Sequence, residues 1–470
     1  MTRIAKLLAT GIFLVLVTLS LNYSLLPNLS SHDDKRVLEL LLISTTLLWV
    51  VLGGISTVPA CLLWKIQTRY AAYLLLALAC VSAWLSASPP HAVQEISVFA
   101  GLFYVCQLTA VLWREYHLKL VQWLVYAVLL CAVLYMAGFY AGYLASFLES
   151  IPLRWPEPFL GCFNVRFFNQ YQLWTLSLLC LPLLGSTIKR TAIRRWLFII
   201  LTCWWVLLFA SAGRGVLLAW LFAMLITAGY YRQLARPLLR LHLTGFITGL
   251  IGYGVLFYLL PSFVVGGILT RTVFRDSTSD RIGLWKQAVS MIEAHPWFGV
   301  GPIHYAWYPN AIAAHPHNSV LQLAAEWGLP ATVLILTLAG YGVFCWLKRF
   351  NSVSLQTVDH PDVAVTLFFT LVANASYSLV DGVIVMPLSQ VMMAVVIGLM
   401  IGLYNNDNQP PYGVNSKDLV QRIFAGIVLI AMVWSVMPEL LPRIFGNEQM
   451  IPRGYQTMGP RFWQEGGIAH

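Results

Sequence analysis

His315-Pro316-His317-Asn318 places two imidazoles around a proline in a chain that is otherwise mostly apolar. Pro316 keeps His315 out of a helix, and Asn318 or Ser319 is a suitable N-cap for a new one, so His317 falls just outside a helix N-terminus. The partial positive charge there disfavours imidazolium, and a neutral imidazole can take a proton from a hydroxyl. Arg281 opens a second stretch, 281–294, in which Ile282, Trp285, Val289 and Ile292 share one helical face. Ser279 or Asp280 can cap its start, and Pro296 stops it. A guanidinium at that N-terminus is unfavourable alone and favourable once an anion joins it, which makes a phosphate site. Arg214, in the short SAGRG hairpin, can bring a second fork to the same anion, or it can snorkel at a membrane interface. Arg166, Asn169 and Gln170 open a further apolar run and suit hydrogen bonds to sugar or phosphate as well as interfacial anchoring. The histidine pair has a structural alternative too, as an interfacial helix cap.

Other chemistries fit poorly. No HExxH spacing, no paired carboxylates and no outward D-x-D accompany the histidines, so no metal or cofactor is expected. Asp276 and Asp280 lie close enough to Arg281 to balance it. Gly299 and Gly301 in PWFGVGP lack the preceding strand and third glycine of a dinucleotide loop and read as a turn. The eight cysteines include no C-x-x-C pair; only Cys162 is placed in an external loop, so neither a disulfide framework nor redox chemistry is indicated.

The elements that must hold these residues are membrane helices. The chain is 59% hydrophobic and only 10% charged, where a soluble domain of this length carries about 25%. Apolar runs long enough to span a bilayer recur at 8–26, 37–56, 70–88, 93–113, 119–146, 168–186, 196–211, 215–231, 243–264, 325–347, 363–380, 384–404 and 419–437. The fold class is therefore all-α, a polytopic membrane protein with about 12–13 transmembrane helices. The run at 325–347 is expected to begin in a helix broken by Gly328 and Pro330. The organisation is one transmembrane domain over 1–437, with a long loop at 265–324 and a polar tail at 438–470.

The net charge of +10 does not signal nucleic acid. Its basic residues, Lys65, Arg69, Arg114, Lys119, Arg190, Arg194, Arg195, Arg232, Arg236, Arg240, Lys348 and Arg349 among them, cluster in short loops that the positive-inside rule assigns to the cytoplasm. The loop at 265–320 then faces outward, and the tail with it. Arginine-rich on the outer side, that loop breaks the local trend and implies an anionic ligand.

The pattern R-x-x-x-W at Arg281 and Trp285, P-x-x-G-x-G at Pro296, Gly299 and Gly301, H-x-H-N at His315, His317 and Asn318, and L-x-x-x-x-E-x-G at Leu321, Glu326 and Gly328 resembles the shared core of the O-antigen ligase superfamily. That superfamily includes lipopolysaccharide O-antigen ligases, O-antigen polymerases and bacterial protein O-oligosaccharyltransferases. The resemblance implies a membrane-embedded glycosyltransferase of the GT-C type, working without metal in the bacterial inner membrane. It implies a donor glycan on undecaprenyl pyrophosphate, transferred at the periplasmic face with inversion. The base maps to His317, with His315 beside it, and the pyrophosphate contacts map to Arg281 and Arg214. Lipid A–core is the favoured acceptor, followed by serine or threonine of pilin or another periplasmic protein, and then a growing glycan chain. A transporter would instead place its polar groups at broken helices near the midplane.

Overall fold

The computed structural model describes residues 10–11, 26, 28–53, 66–151, 153, 158–162, 164–185, 190–264, 281–309, 312–357, 360–405, 416–447, 454–456 and 459–469. Its long helices are α1 (Ser31–Val51), α2 (Ile66–Leu85), α3 (Pro89–Tyr116), α4 (Leu118–Leu148), α5 (Val165–Leu176), α6 (Thr191–Ala210), α7 (Arg214–Tyr231) and α8 (Arg236–Gly254). After α8 the chain runs on through a π turn to Val264. Then come α9 (Arg281–Ala294), α10 (Ser319–Trp327), α11 (Leu329–Arg349), α12 (Pro361–Tyr377), α13 (Pro387–Tyr404) and α14 (Ser416–Ile444). A short antiparallel pair, β1 (Gly454–Gln456) and β2 (Gly466–Ala469), follows. The protein is all-α and polytopic, with eight of its described helices long and apolar enough to cross a membrane.

Burial separates centre from rim. In α3 and α13, 72% and 78% of the most apolar window lies inside the protein, against 22% in the helix from Arg236 and 17% in α11. Glycines let the two central helices close. A Cβ at Gly398 would meet Cys106 O and the Thr109 side chain, and one at Gly402 would meet Trp113 Cβ at 2.5 Å. Lipid gives apolar faces no reason to leave it, so such close packing is what holds membrane helices together.

Every helix reverses direction, which divides the molecule into two ends. One carries Arg114, Lys119, Arg190, Arg194, Arg195, Arg232, Arg236, Arg240, Lys348 and Arg349 at helix termini. The other holds the starts of α1, α3, α5, α7, α10 and α13, together with α9 and the segment after α14. All the histidine and arginine candidates lie at this second end.

Several sequence expectations need adjustment. The run at 8–26 falls mostly outside the described residues, as do Arg271, Arg275, Asp276, Ser279 and Asp280. The apolar stripe of α9 is split: Ile282 and Val289 are exposed, while Trp285 and Ile292 are partly buried beside the inward-facing Leu284, Ala288 and Met291. In a membrane protein the most apolar face need not point inward, because the surroundings are themselves apolar. The helix expected to stop near 437 continues as α14 to Ile444, through Pro438 and Pro442. The break at 328–330 is present, with Gly328 at φ 82° between α10 and α11.

Candidate functional site

α10 starts where it does because Asn318 caps it. Its backbone is extended, and its side-chain oxygen accepts from the N–H groups of Val320 and Leu321, both at 3.0 Å. Such a cap is worth about 1 kcal/mol. This use of Asn318 leaves its oxygen committed to the helix rather than to a ligand. His317, immediately before it, is left-handed at φ 52°, a conformation that costs a non-glycine residue about 1–2 kcal/mol. Three contacts hold the segment in that shape. The His317 N–H donates to His315 Nδ1 at 3.3 Å, the Ser319 N–H donates to Ser378 O at 2.8 Å, and Trp285 Nε1 donates to Pro316 O at 3.0 Å. The last of these ties α9, and hence Arg281, to the histidine loop.

The two histidines are not equivalent. His315 is buried, packed so closely that a Cβ on Gly382 would meet its ring at 2.7 Å. Burial holds it neutral, far below the ordinary imidazole range, and the nearby His317 and Arg461 act in the same direction. His317 is 25% exposed and faces a carboxylate, with its Nδ1 3.6 Å from Asp381 Oδ1. That is ion-pair distance, just beyond hydrogen-bond length, and Nδ1 makes no hydrogen bond. A small ring rotation closes the gap.

Asp381 lies in the short segment between α12 and α13 and is fully buried. Its Oδ1 accepts from Gln170 Nε2 at 3.0 Å and from the Gly382 N–H at 2.7 Å, and its Oδ2 accepts from the Tyr377 hydroxyl at 2.7 Å. Burial works to raise its pKa, but His317, Tyr377 and the Gly382 N–H outweigh it and hold the carboxyl ionised, below the usual range. The arrangement is that of a histidine oriented by a buried carboxylate. With Nδ1 toward Asp381, Nε2 is the nitrogen left to accept a proton.

Three guanidiniums surround this pair. Arg281 begins α9, is half-buried, and its Nε is buried without a hydrogen-bond partner. Arg166 begins α5, and its Nη1 donates to Asn169 Oδ1 and Ala212 O at 3.3 and 3.2 Å. Charges on both Arg166 and Arg281 act on Tyr377. Arg214 begins α7 between two glycines: a Cβ on Gly213 would meet Asn169 Oδ1 at 2.9 Å, and one on Gly215 would meet the Tyr377 ring at 3.0 Å. The sequence candidates from 166 to 318 therefore converge. Asn169 and Gln170 reach the site from behind, fully buried. The Asn169 amide also donates to Ser211 Oγ at 2.7 Å, so these two side chains position neighbours rather than face a ligand.

The glycine turns lock the loop to α10. Val300 N–H donates to Ala325 O at 2.9 Å, Gly301 N–H to Glu326 O at 3.0 Å, and Leu329 N–H to Pro296 O at 2.9 Å. Gly299, at φ 68°, lies so close to Glu326 that a Cβ would strike its carbonyl. Helix-end carbonyls that would otherwise lack donors are thus paired. His304 is held in one tautomer, with Nδ1 donating to Pro302 O at 2.8 Å and Nε2 accepting from the Ser88 N–H at 2.9 Å. Burial pushes its pKa down to about 4.

Sequence reasoning missed Asp381, Tyr377 and Arg461. Asp381 did carry a signal, as a lone acid in the apolar stretch from 363 to 404, where an ionisable residue usually has a task.

The fold is that of a polytopic membrane protein, with the His317–Asp381 pair and several arginines gathered at one end of the bundle. Residues 196–336 match the family model described as Wzy_C, O-antigen ligase, so this segment is similar to that family and agrees with the resemblance read from the motifs. That match supports a function of the O-antigen ligase or polymerase type in general. The matched segment contains Arg214, Arg281, His315, His317 and Glu326, whereas Arg166 and Asp381 lie outside it. No curated protein matches the chain.

Proposed function

We propose that this protein transfers a glycan from undecaprenyl pyrophosphate to an acceptor hydroxyl at the periplasmic face of the bacterial inner membrane. The observation that carries this reading is the His317–Asp381 pair set among Arg281, Arg214 and Arg166. His317 Nε2 takes the proton of the acceptor hydroxyl as its oxygen attacks the anomeric carbon. The bond from that carbon to the pyrophosphate oxygen breaks on the opposite side, so configuration inverts. The imidazolium that forms is stabilised by the Asp381 carboxylate. The leaving pyrophosphate gains negative charge at the arginines, which therefore favour the transition state over the bound donor.

The preferred acceptor is lipid A–core, as in an O-antigen ligase. The exposed Ile282 and Val289 on α9 favour an acceptor that is itself lipid-anchored, because they suit a helix lying on the membrane surface beside the site. The outward orientation rests on the cluster of basic residues from Arg114 to Arg349 at the opposite end of the bundle, which outnumbers the arginines at this end. Purified protein should be incubated with undecaprenyl-pyrophosphate glycan and, separately, with lipid A–core, a pilin-type protein and free glycan. Transfer to lipid A–core supports the reading, transfer to another acceptor moves it to the corresponding branch, and transfer to none refutes it.

A further inference from the structure

The geometry points to Arg461, from the segment after α14, as a positioning residue that sets the histidine loop and the arginine helix relative to the bundle. Arg461 is 3% exposed, and its Nη2 bridges two carboxylates on different elements: Glu95 of α3 at 2.8 Å and Glu326 of α10 at 2.7 Å. Glu326 passes the constraint on. Its Oε1 accepts from the Tyr305 N–H at 3.1 Å, and the Tyr305 hydroxyl donates to Leu284 O of α9 at 3.0 Å. One guanidinium is thus connected to α10, whose N-terminus follows His317, and to α9, whose N-terminus is Arg281.

The segment is built to hold Arg461 still. Arg36 donates to Phe462 O at 3.2 Å and lies over its ring at 4.7 Å. Trp463 Nε1 donates to Glu439 at 2.7 Å, and the Gln464 N–H donates to Asp33 Oδ1 at 2.8 Å. β2 then packs along the turn His304–Trp307. Without Arg461, Glu95 and Glu326 would face each other buried and without their shared counter-charge. Removing one partner of a buried ion network is strongly unfavourable, so α10 would shift or one acid would take up a proton. Either response disturbs His317 and Arg281 together. The charges around the two acids are Arg461 itself and Arg36 from α1, while His304 and His315 in the loop also feel Arg461.

This inference rests on the glycan-transfer reading for its activity readout but not for its structural one. Arg461→Gln, Arg461→Lys and Glu326→Gln are compared with the parent and with Phe462→Leu, a packing change of the same segment. Per folded molecule, Arg461→Gln is expected to lower kcat ten- to hundredfold with little change in the donor KM. Arg461→Lys, which keeps the charge without the planar fork, should recover part of that loss. Hydrogen exchange across 281–327 should rise in Arg461→Gln and not in Phe462→Leu. Should Arg461→Gln fail to fold, Glu326→Gln gives the same reading, with about tenfold lower kcat and faster exchange in that stretch. Parental kcat and parental exchange in a folded Arg461→Gln, or in Glu326→Gln where the former does not fold, would overturn the proposal. Absence of transfer by the parent would remove the reaction assignment, and the exchange comparison would still decide the positioning role.

Discussion

Replacing Asp381 by Asn tests the core of the proposed chemistry, because it removes a charge while nearly preserving shape. The carboxylate oxygen is 3.6 Å from His317 Nδ1. With an effective dielectric of about 20, Coulomb attraction at that distance is about 4–5 kcal/mol, and this is the stabilisation lost when His317 becomes positive. At 1.36 kcal/mol per decade, turnover should fall by about three orders of magnitude. The neutral residue can still accept from Gln170 and Gly382 through one oxygen, and its amide can donate to the Tyr377 hydroxyl. Stability should therefore change little, and donor affinity should stay within a few-fold because the arginines are untouched. The assay is single-turnover transfer with saturating undecaprenyl-pyrophosphate glycan, alongside a melting curve and a donor-binding isotherm. Turnover within fivefold of the parent in a folded Asp381→Asn protein would refute the dyad. Loss confined to donor affinity would do so equally.

His317→Ala should abolish transfer while leaving insertion intact. His315→Ala should retain more activity per folded molecule but melt lower, since it empties a packed site beside Gly382. The reverse ranking, in the same transfer and melting assays, would exchange their roles. Arg281→Lys and Arg214→Lys should each lose turnover and donor affinity, and the double variant should lose less than the two single losses combined if both grip one pyrophosphate. Additive losses on one donor would place Arg214 elsewhere. A cysteine at Ser290 should react with an impermeant thiol reagent from the periplasm and one at Gln233 should not, in a background with the native cysteines replaced. The opposite pattern reverses the orientation. The His304 ring, with a folded pKa of about 4 against 6.5 unfolded, contributes stability that is full above pH 6.5 and lost as pH falls toward 4. At about 1.4 kcal/mol per unit this amounts to about 3 kcal/mol, seen as a falling melting temperature over that range that His304→Gln should flatten. An equal slope in the variant would exclude His304 as the cause.

The membrane helices were legible because a bilayer demands long apolar runs, and even the break at Gly328 announced itself by residue type. The cap at Asn318 followed from local rules as well. What local rules could not supply was the partner of His317. Asp381 is 64 positions away in the chain, and tertiary packing, in which the Ser319 N–H donates to Ser378 O, brings the two segments together. The stripe on α9 was legible as a face but not in its direction, since periodicity does not tell whether protein or lipid receives it. Arg461 was invisible for a third reason, since polar residues in a tail look solvated until their buried acids are located.

The bridge from Arg461 to Glu326 also has a consequence in time. The two residues are separated by 135 positions. At about 5–20 residues per second, roughly 7 to 30 s of synthesis pass between them. Throughout that interval Glu95 and Glu326 are already made, and α11 to α14 are synthesised before their shared cation exists. The bridge that ties α10 to α3 can therefore close only after the polypeptide of every one of those helices has been made, so it is among the last long-range contacts available to the chain.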